Sequence, residues 1–128
     1  MKLLVVDDSS VMRKVIKAAV DMLEMEMEME EAEDGAEALE KLSQSYREID
    51  LILMDWNMPG MNGYDALLEI KSDSKYKDIP VMMVTTEGQQ SNIIAAIRAG
   101  ANNYLVKPFT VEELRAKITE CLGKGGDF

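Results

Sequence analysis

Three short apolar runs in this chain each end at charged residues. Asp7 and Asp8 follow the first run, Asp55 follows the second and Lys107 follows the third. Apolar runs of about four residues are typical of buried parallel strands. In open α/β sheets, ligand sites collect at the carboxyl ends of such strands. We therefore expect three carboxylates and one ammonium to meet at one edge of one sheet.

The chemistry that such a cluster supports depends on a cation. Three carboxylates this close together repel one another strongly unless a positive ion lies between them. Oxygen ligands suit a hard divalent ion, and Mg²⁺ is the first choice. The same ion would neutralise a phosphoryl group. The pattern therefore predicts a magnesium site that serves phosphoryl chemistry.

The overall composition limits the classes of partner. The chain has 128 residues and a formal net charge of −10, which predicts one domain with a hydrophobic core and an acidic surface. An acidic surface disfavours binding to nucleic acid or anionic lipid. No apolar run approaches the roughly 20 residues of a membrane span, and no signal peptide is visible. We expect a cytoplasmic protein that binds neither nucleic acid nor membranes.

Two residue types exclude further chemistry. Histidine is absent and Cys121 is the only cysteine. This composition excludes catalytic pairs with histidine, histidine-bound zinc and an internal disulfide. A phosphohistidine that takes part in the chemistry must therefore belong to another protein.

Strands and helices alternate along the sequence. The predicted strands are residues 2–6, 28–32, 51–54, 81–84 and 103–106. The predicted helices are residues 11–23, 36–45, 64–71, 89–98 and 111–122. The pattern predicts an α/β fold with a doubly wound parallel sheet and helices on both faces. Strands 1, 3 and 4 are the most apolar, which fits the flavodoxin-like order 2-1-3-4-5. We expect a single domain over residues 1–123 and a disordered tail over residues 124–128.

The first helix and the segment after it are less regular. The apolar positions expected to face the core are Val11, Val15, Ile16, Ala19, Val20 and Leu23. Residues 24–30 then alternate Glu and Met, which favours a half-exposed edge strand. Both residue types also form helices well, so a longer first helix is the alternative. No glycine separates the two elements, and we favour the strand.

Four segments stand out along the chain: VVDDSS (5–10), MDWNMP (54–59), MVTTEG (83–88) and VKPF (106–109). In this order and at these spacings, they resemble the receiver domain of two-component response regulators, most closely its free-standing chemotaxis type. The resemblance extends over residues 1–123. It implies a phosphorylation-activated switch that assists its own phosphorylation and dephosphorylation and is not otherwise an enzyme.

The resemblance also implies roles for individual residues. Asp55 would be the phosphoacceptor, forming an acyl phosphate with a phosphoryl group from a histidine kinase. Lys107 and Thr85 would contact the phosphoryl oxygens. The ligands of Mg²⁺ would be Asp7, Asp8, Asp55 and the backbone carbonyl of Asn57.

The same resemblance implies a face for protein partners. Thr85 and Tyr104 would together transmit the phosphorylation signal to a face that includes Gln90, Ile93, Ile97, Tyr104, Val106, Phe109 and Lys117. The implied partners are a chemotaxis-type histidine kinase, the flagellar motor switch protein and a phosphatase, with the chain acting as a monomer. Thr86 departs from the family, because a small residue usually follows the switch threonine.

Two other functions remain as alternatives. A stand-alone phosphorelay carrier would pass the phosphoryl group to a second histidine protein. A Mg²⁺-dependent aspartyl-phosphate phosphatase belongs to a different class. That class usually has an acid two residues after its nucleophile, and Asn57 occupies that position here. An amide cannot protonate a leaving group, which favours the switch.

Overall fold

The computed structural model describes residues 1–123, so the tail predicted for residues 124–128 lies outside the described residues. The strands are β1 (Lys2–Val6), β2 (Glu28–Ala32), β3 (Leu51–Met54), β4 (Val81–Thr85) and β5 (Asn103–Val106). The α-helices are α1 (Ser10–Met22), α2 (Gly35–Ser45), α3 (Gly63–Ser72), α4 (Gln90–Arg98) and α5 (Val111–Gly123). A 3₁₀ turn at Tyr46–Glu48 follows α2 and was not predicted.

All neighbouring strands are parallel and their order is β2-β1-β3-β4-β5, which confirms the predicted fold. Alternate strand residues face two hydrophobic clusters, one on each side of the sheet. Helices α2, α3 and α4 cover one side, and α1 and α5 cover the other. Among the described residues, no helix has the length and apolar character needed to span a membrane.

The segment of alternating Glu and Met enters the edge strand β2 at Glu28, so β2 has the predicted bounds 28–32, while residues 24–27 precede the strand. Met29 packs on the α1/α5 side of the sheet, while Ala32 is buried on the other side. Glu24, the second residue after α1, has a φ of +56°. It adopts the left-handed conformation that glycine usually provides after a helix, so the chain turns into β2 without a glycine.

The expected core face of α1 is partly wrong. Ile16, Ala19 and Val20 are buried against the sheet, but Val11 and Val15 are 69% and 47% exposed. At 100° of rotation per residue, the two valines lie on the flank of the buried face, about 90° or more from its centre. The core therefore receives a narrower stripe of this helix than the apolar pattern indicates.

Side-chain caps fix the start of the helices that border the carboxyl edge of the sheet. Ser9 accepts a hydrogen bond from Met12 N–H at the start of α1. Asp34 and Asn62 do the same for α2 and α3. Thr110 and the third residue of α5 exchange two hydrogen bonds, which form a capping box.

A half-buried lysine joins the connections at the opposite, amino-terminal edge of the sheet. The Lys71 ammonium donates to the carbonyls of Lys77 and Ile79 and to Asn102 Oδ1, at 2.8–3.2 Å. Asn102 Oδ1 also accepts a hydrogen bond from Val81 N–H. Burial lowers the pKa of Lys71. This lysine ties the end of α3 to the entrances of β4 and β5.

Candidate functional site

Three carboxylates meet at the carboxyl edge of the sheet. Asp7 and Asp55 directly follow Val6 and Met54, which are paired across β1 and β3. Together with Asp8, they bring carboxylate oxygens within 4.8 Å of one another. Asp7 and Asp55 are buried, whereas Asp8 is exposed. The parallel pairing of β1 and β3 therefore creates the cluster predicted from the sequence.

Lys107 supplies a positive charge to this cluster. Its ammonium lies 2.8 Å from Asp7 Oδ2 and 3.4 Å from Asp55 Oδ2, and only 9% of the side chain is exposed. The residue follows β5 and precedes a cis peptide bond to Pro108. One ammonium against three carboxylates leaves two negative charges uncompensated. This balance and the oxygen ligands suit a divalent hard cation.

The environment of Asp55 disfavours its ionised form. Burial raises the pKa of its carboxyl, and the nearby charge of Asp7 adds to the increase. Lys107, the Thr85 side chain and the Trp56 N–H act in the opposite direction. The N–H of Trp56 donates to Asp55 Oδ1 at 2.7 Å. A cation beside Asp55 would therefore stabilise the charged, nucleophilic form.

Asp7 is held by hydrogen bonds on both its backbone and its side chain. Its Oδ1 accepts from Ser9 N–H at 2.9 Å, and its own N–H donates to the Ala32 carbonyl at 3.0 Å. Its carbonyl accepts from an Arg13 guanidinium nitrogen at 2.6 Å. Sequence reasoning missed Arg13, because an arginine in the second turn of a helix gives no sign of which backbone group it contacts.

The loop after β3 packs tightly beneath the site. A side chain at Gly63 would place its Cβ 1.8 Å from the Asp55 carbonyl oxygen, so only glycine fits here. Gly63 N–H donates to the Trp56 carbonyl at 2.8 Å. The Trp56 ring stacks on Tyr64, with centroids 5.1 Å apart. These contacts fix the backbone around Asp55, while the metal-ligand role of the Asn57 carbonyl stays a prediction.

Glu87 connects the site to α4 and β5, although its role was not predicted. Its carboxylate accepts from the side-chain amides of Asn57 and Asn92 at 2.7 and 3.2 Å. Its carbonyl accepts from the Tyr104 hydroxyl at 2.5 Å. Its N–H donates to Thr85 Oγ1 at 3.3 Å. The threonine and the tyrosine expected to act together therefore contact the same residue.

The expected partner face is only partly exposed. Gln90, Ile97 and Val106 are exposed on α4 and β5. The half-buried members of the face are Ile93, Phe109 and Lys117. Tyr104 is buried, and desolvation raises the pKa of its phenol. In this conformation Tyr104 therefore packs inward instead of contributing its ring to the surface. Whether this face binds a partner stays a prediction.

Comparison with known families decides the class. Residues 3–119 match the response regulator receiver domain. The chain belongs to this family. The match includes the three strands that carry the acidic cluster and Lys107, and it confirms the resemblance seen in the four sequence segments.

Known receiver domains of the chemotaxis type are similar over nearly the whole chain. Chemotaxis protein CheY1 of Helicobacter pylori is 50% identical over 123 residues, which cover 96% of this chain and 98% of the relative. The structure of CheY4 of Vibrio cholerae has a TM-score of 0.81 at 36% identity, covering 94% of this chain and 98% of that one.

A third comparison includes a ligand. The chain resembles CheY in the CheX–CheY–BeF₃–Mg²⁺ complex of Borrelia burgdorferi, with a TM-score of 0.85 at 26% identity. That match covers 93% of this chain and 87% of the neighbour. Taken together, the comparisons show a receiver domain of the chemotaxis response regulator type. Such domains are regulatory switches in two-component signalling and are activated by phosphorylation.

Proposed function

We propose that Asp55 accepts a phosphoryl group from the phosphohistidine of a histidine kinase, with Mg²⁺, and that the phosphorylated chain binds the flagellar motor switch protein. The observation that carries the proposal is the convergence of three carboxylates and Lys107 at one sheet edge. Because these 128 residues contain no histidine, the donor histidine lies outside them.

The donor atoms at this edge suit Mg²⁺. Asp7, Asp8 and Asp55 offer carboxylate oxygens within 4.8 Å of one another, and the Asn57 carbonyl would add a fourth protein oxygen. Bound Mg²⁺ would neutralise the carboxylates and the incoming phosphoryl oxygens. The Borrelia burgdorferi CheY complex, which contains Mg²⁺ and BeF₃, supports the same use of the site.

The residues of the chain would then position the reacting groups. An Asp55 carboxylate oxygen attacks phosphorus, the phosphorus–nitrogen bond of phosphohistidine breaks, and the imidazole leaves with the electron pair. Lys107 would bind one phosphoryl oxygen, and the buried Thr85 hydroxyl would donate a hydrogen bond to another. These contacts would stabilise charge that develops during transfer.

The same contacts offer a path for the signal. A Thr85 hydroxyl that turns to the phosphoryl group would leave the N–H of Glu87, and the carbonyl of Glu87 binds Tyr104. The resulting shift would change the face formed by α4, β5 and α5, which we propose as the surface for the motor switch protein. A phosphatase is a further proposed partner.

The alternative functions differ in what they require of the chain. An aspartyl-phosphate phosphatase needs an acid at position 57, but the Asn57 amide is a donor to Glu87. A phosphorelay carrier would use the same site, and its second transfer to a histidine protein distinguishes it from a switch.

Phosphorylation with a small donor tests the proposal. Acetyl phosphate and Mg²⁺ should add one phosphoryl group to the wild type, and mass spectrometry should locate it on Asp55. The Asp55→Asn variant should remain unlabelled, while Asp65→Asn, at an exposed position on α3, should label normally. Beryllofluoride with Mg²⁺ should increase capture of purified motor switch protein. An equal labelled fraction in Asp55→Asn would refute the site, and unchanged capture would refute the target.

A further inference from the structure

We infer that Arg13 is a positioning residue for the acidic pair, because it holds the peptide that joins Asp7 to Asp8. This inference rests on the proposed Mg²⁺ site and adds a residue that contacts neither the metal nor the phosphoryl group. It also explains why α1 carries a largely buried arginine beside a strand that is rich in glutamate.

The acidic pair needs support because it lies beyond the regular sheet. β1 ends at Val6, so the peptide after Asp7 lacks the strand-to-strand hydrogen bonds that fix the preceding residues. Asp8 is exposed, and its carboxylate is one of the three that converge. The direction of the Asp7–Asp8 peptide therefore decides where that carboxylate lies.

Arg13 meets this need with two different nitrogens. One terminal nitrogen donates to the Asp7 carbonyl at 2.6 Å, and Nε donates to Glu31 Oε1 at 2.6 Å. Only 13% of the arginine side chain is exposed. The planar guanidinium links the end of β1 to β2 in one geometry, which a lysine ammonium cannot reproduce. The backbone of Glu31 is itself held by Lys41, which donates to its carbonyl.

The positive charge of Arg13 and its contact with the Asp7 carbonyl have opposite effects on the affinity for Mg²⁺. Arg13 is a cation near a site proposed for a cation, so its charge alone weakens Mg²⁺ binding. Removal of that charge would then tighten binding. If Arg13 instead orients the carboxylates, its removal weakens binding despite the favourable change in charge. The sign of the change therefore separates the two roles.

Titration of Mg²⁺ by calorimetry on the full chain provides the test. We expect Arg13→Met and Arg13→Lys each to weaken Mg²⁺ binding about tenfold, the lower end of the usual effect of groups that orient metal ligands. Lys14→Met removes an exposed cation from the same helix and should leave affinity unchanged or slightly higher. Glu31→Gln should produce a smaller loss, because the contact with Asp7 remains.

Two outcomes would overturn the inference, one by refuting the role of Arg13 and the other by refuting the metal site. Equal or tighter binding in Arg13→Met and Arg13→Lys, with folded circular dichroism spectra, would show that Arg13 does not position the pair. No binding by the wild type would refute the proposed metal site itself and this role with it. If Arg13→Met fails to fold, the result for Arg13→Lys decides, because that variant keeps the charge and most of the side-chain length.

Discussion

Lys107 and Asp7 form an ion pair of 2.8 Å between residues that lie 100 positions apart in the sequence. The ammonium is closer to this carboxylate than to the proposed phosphoacceptor, which lies 3.4 Å away. Asp55 therefore shares the Lys107 ammonium with Asp7, which lies closer to it. Burial raises the pKa of Asp55.

Mg²⁺ should change the fluorescence of Trp56, the only tryptophan of the chain. Trp56 directly follows Asp55 in the sequence, and its backbone N–H donates to Asp55 Oδ1 at 2.7 Å. A titration of the wild type should saturate, and Asp8→Ala should weaken the response strongly because one oxygen ligand is lost. Asp65→Ala serves as the control at an exposed position. Matching titration curves for the wild type and Asp8→Ala would show that the metal binds elsewhere.

Asp55→Asn should raise the free energy of unfolding in EDTA at pH 7 by about 1 kcal/mol. The pKa of the Asp55 carboxyl is higher in the folded protein than in the unfolded chain. Protonation of Asp55 therefore stabilises the folded protein below the unfolded pKa, and this stabilisation is lost as the pH rises through the folded pKa. The wild type lacks that stability at pH 7, whereas a neutral amide keeps it.

The difference in stability between Asp55→Asn and the wild type should shrink under two conditions. As the pH falls through the raised pKa of Asp55, its carboxyl becomes protonated and the two melting temperatures converge. Added Mg²⁺ should also reduce the difference, because the ion uses the charge that the variant has lost. Thermal melts at several pH values measure both effects. An equal or lower melting temperature for Asp55→Asn in EDTA at pH 7 would contradict the crowding of carboxylates.

Thr86→Ala should speed the loss of phosphate from Asp55 by roughly two- to tenfold, or about 1 kcal/mol in the barrier. Thr86 is exposed beside the buried Thr85, and its branched side chain would shield phosphorus from water. The measurement is the decay of labelled protein after removal of the phosphodonor, with Thr86→Ser as a variant that keeps the hydroxyl. Slower decay in Thr86→Ala would show that the hydroxyl instead orients the attacking water.

Glu24→Gly should stabilise the fold by about 0.5–1 kcal/mol. Glu24 holds a φ of +56°, which costs a side-chain-bearing residue roughly 1–2 kcal/mol and costs glycine little. Glu26→Gly, two residues later and also exposed, lacks the positive φ and should be neutral or destabilising. Chemical denaturation of both variants gives the comparison. A loss of stability in Glu24→Gly equal to that in Glu26→Gly would exclude strain at position 24.

The sequence was sufficient to predict the carboxylates and Lys107 because each follows a recognisable strand. Parallel strands end at one edge, so position along the chain translates directly into position in the site. Arg13 and Glu87 could not be predicted in this way. Arg13 is a helical residue that acts on a backbone carbonyl, and Glu87 acts partly through its own backbone, so their side-chain types carry no signal of these contacts.

The secondary structure was likewise predicted only in part. Period-2 alternation correctly predicted β2, although a helix was a reasonable alternative. No glycine marks the end of α1 in the sequence, because Glu24 takes the turn conformation that glycine would favour. The apolar pattern of α1 overstated its core face, since hydrophobicity alone does not indicate how wide a stripe the sheet can cover.

The two ends of α4 contact different parts of the molecule, because Lys71 lies at the amino-terminal edge of the sheet. Gly100, just beyond the carboxyl end of α4, lies against the Lys71 side chain, and Lys71 also holds Asn102. At the other end, α4 is joined to the acidic site through the hydrogen bond between Glu87 and Asn92. We therefore expect a local change at the site to displace α4 more near Gln90 than near Gly100.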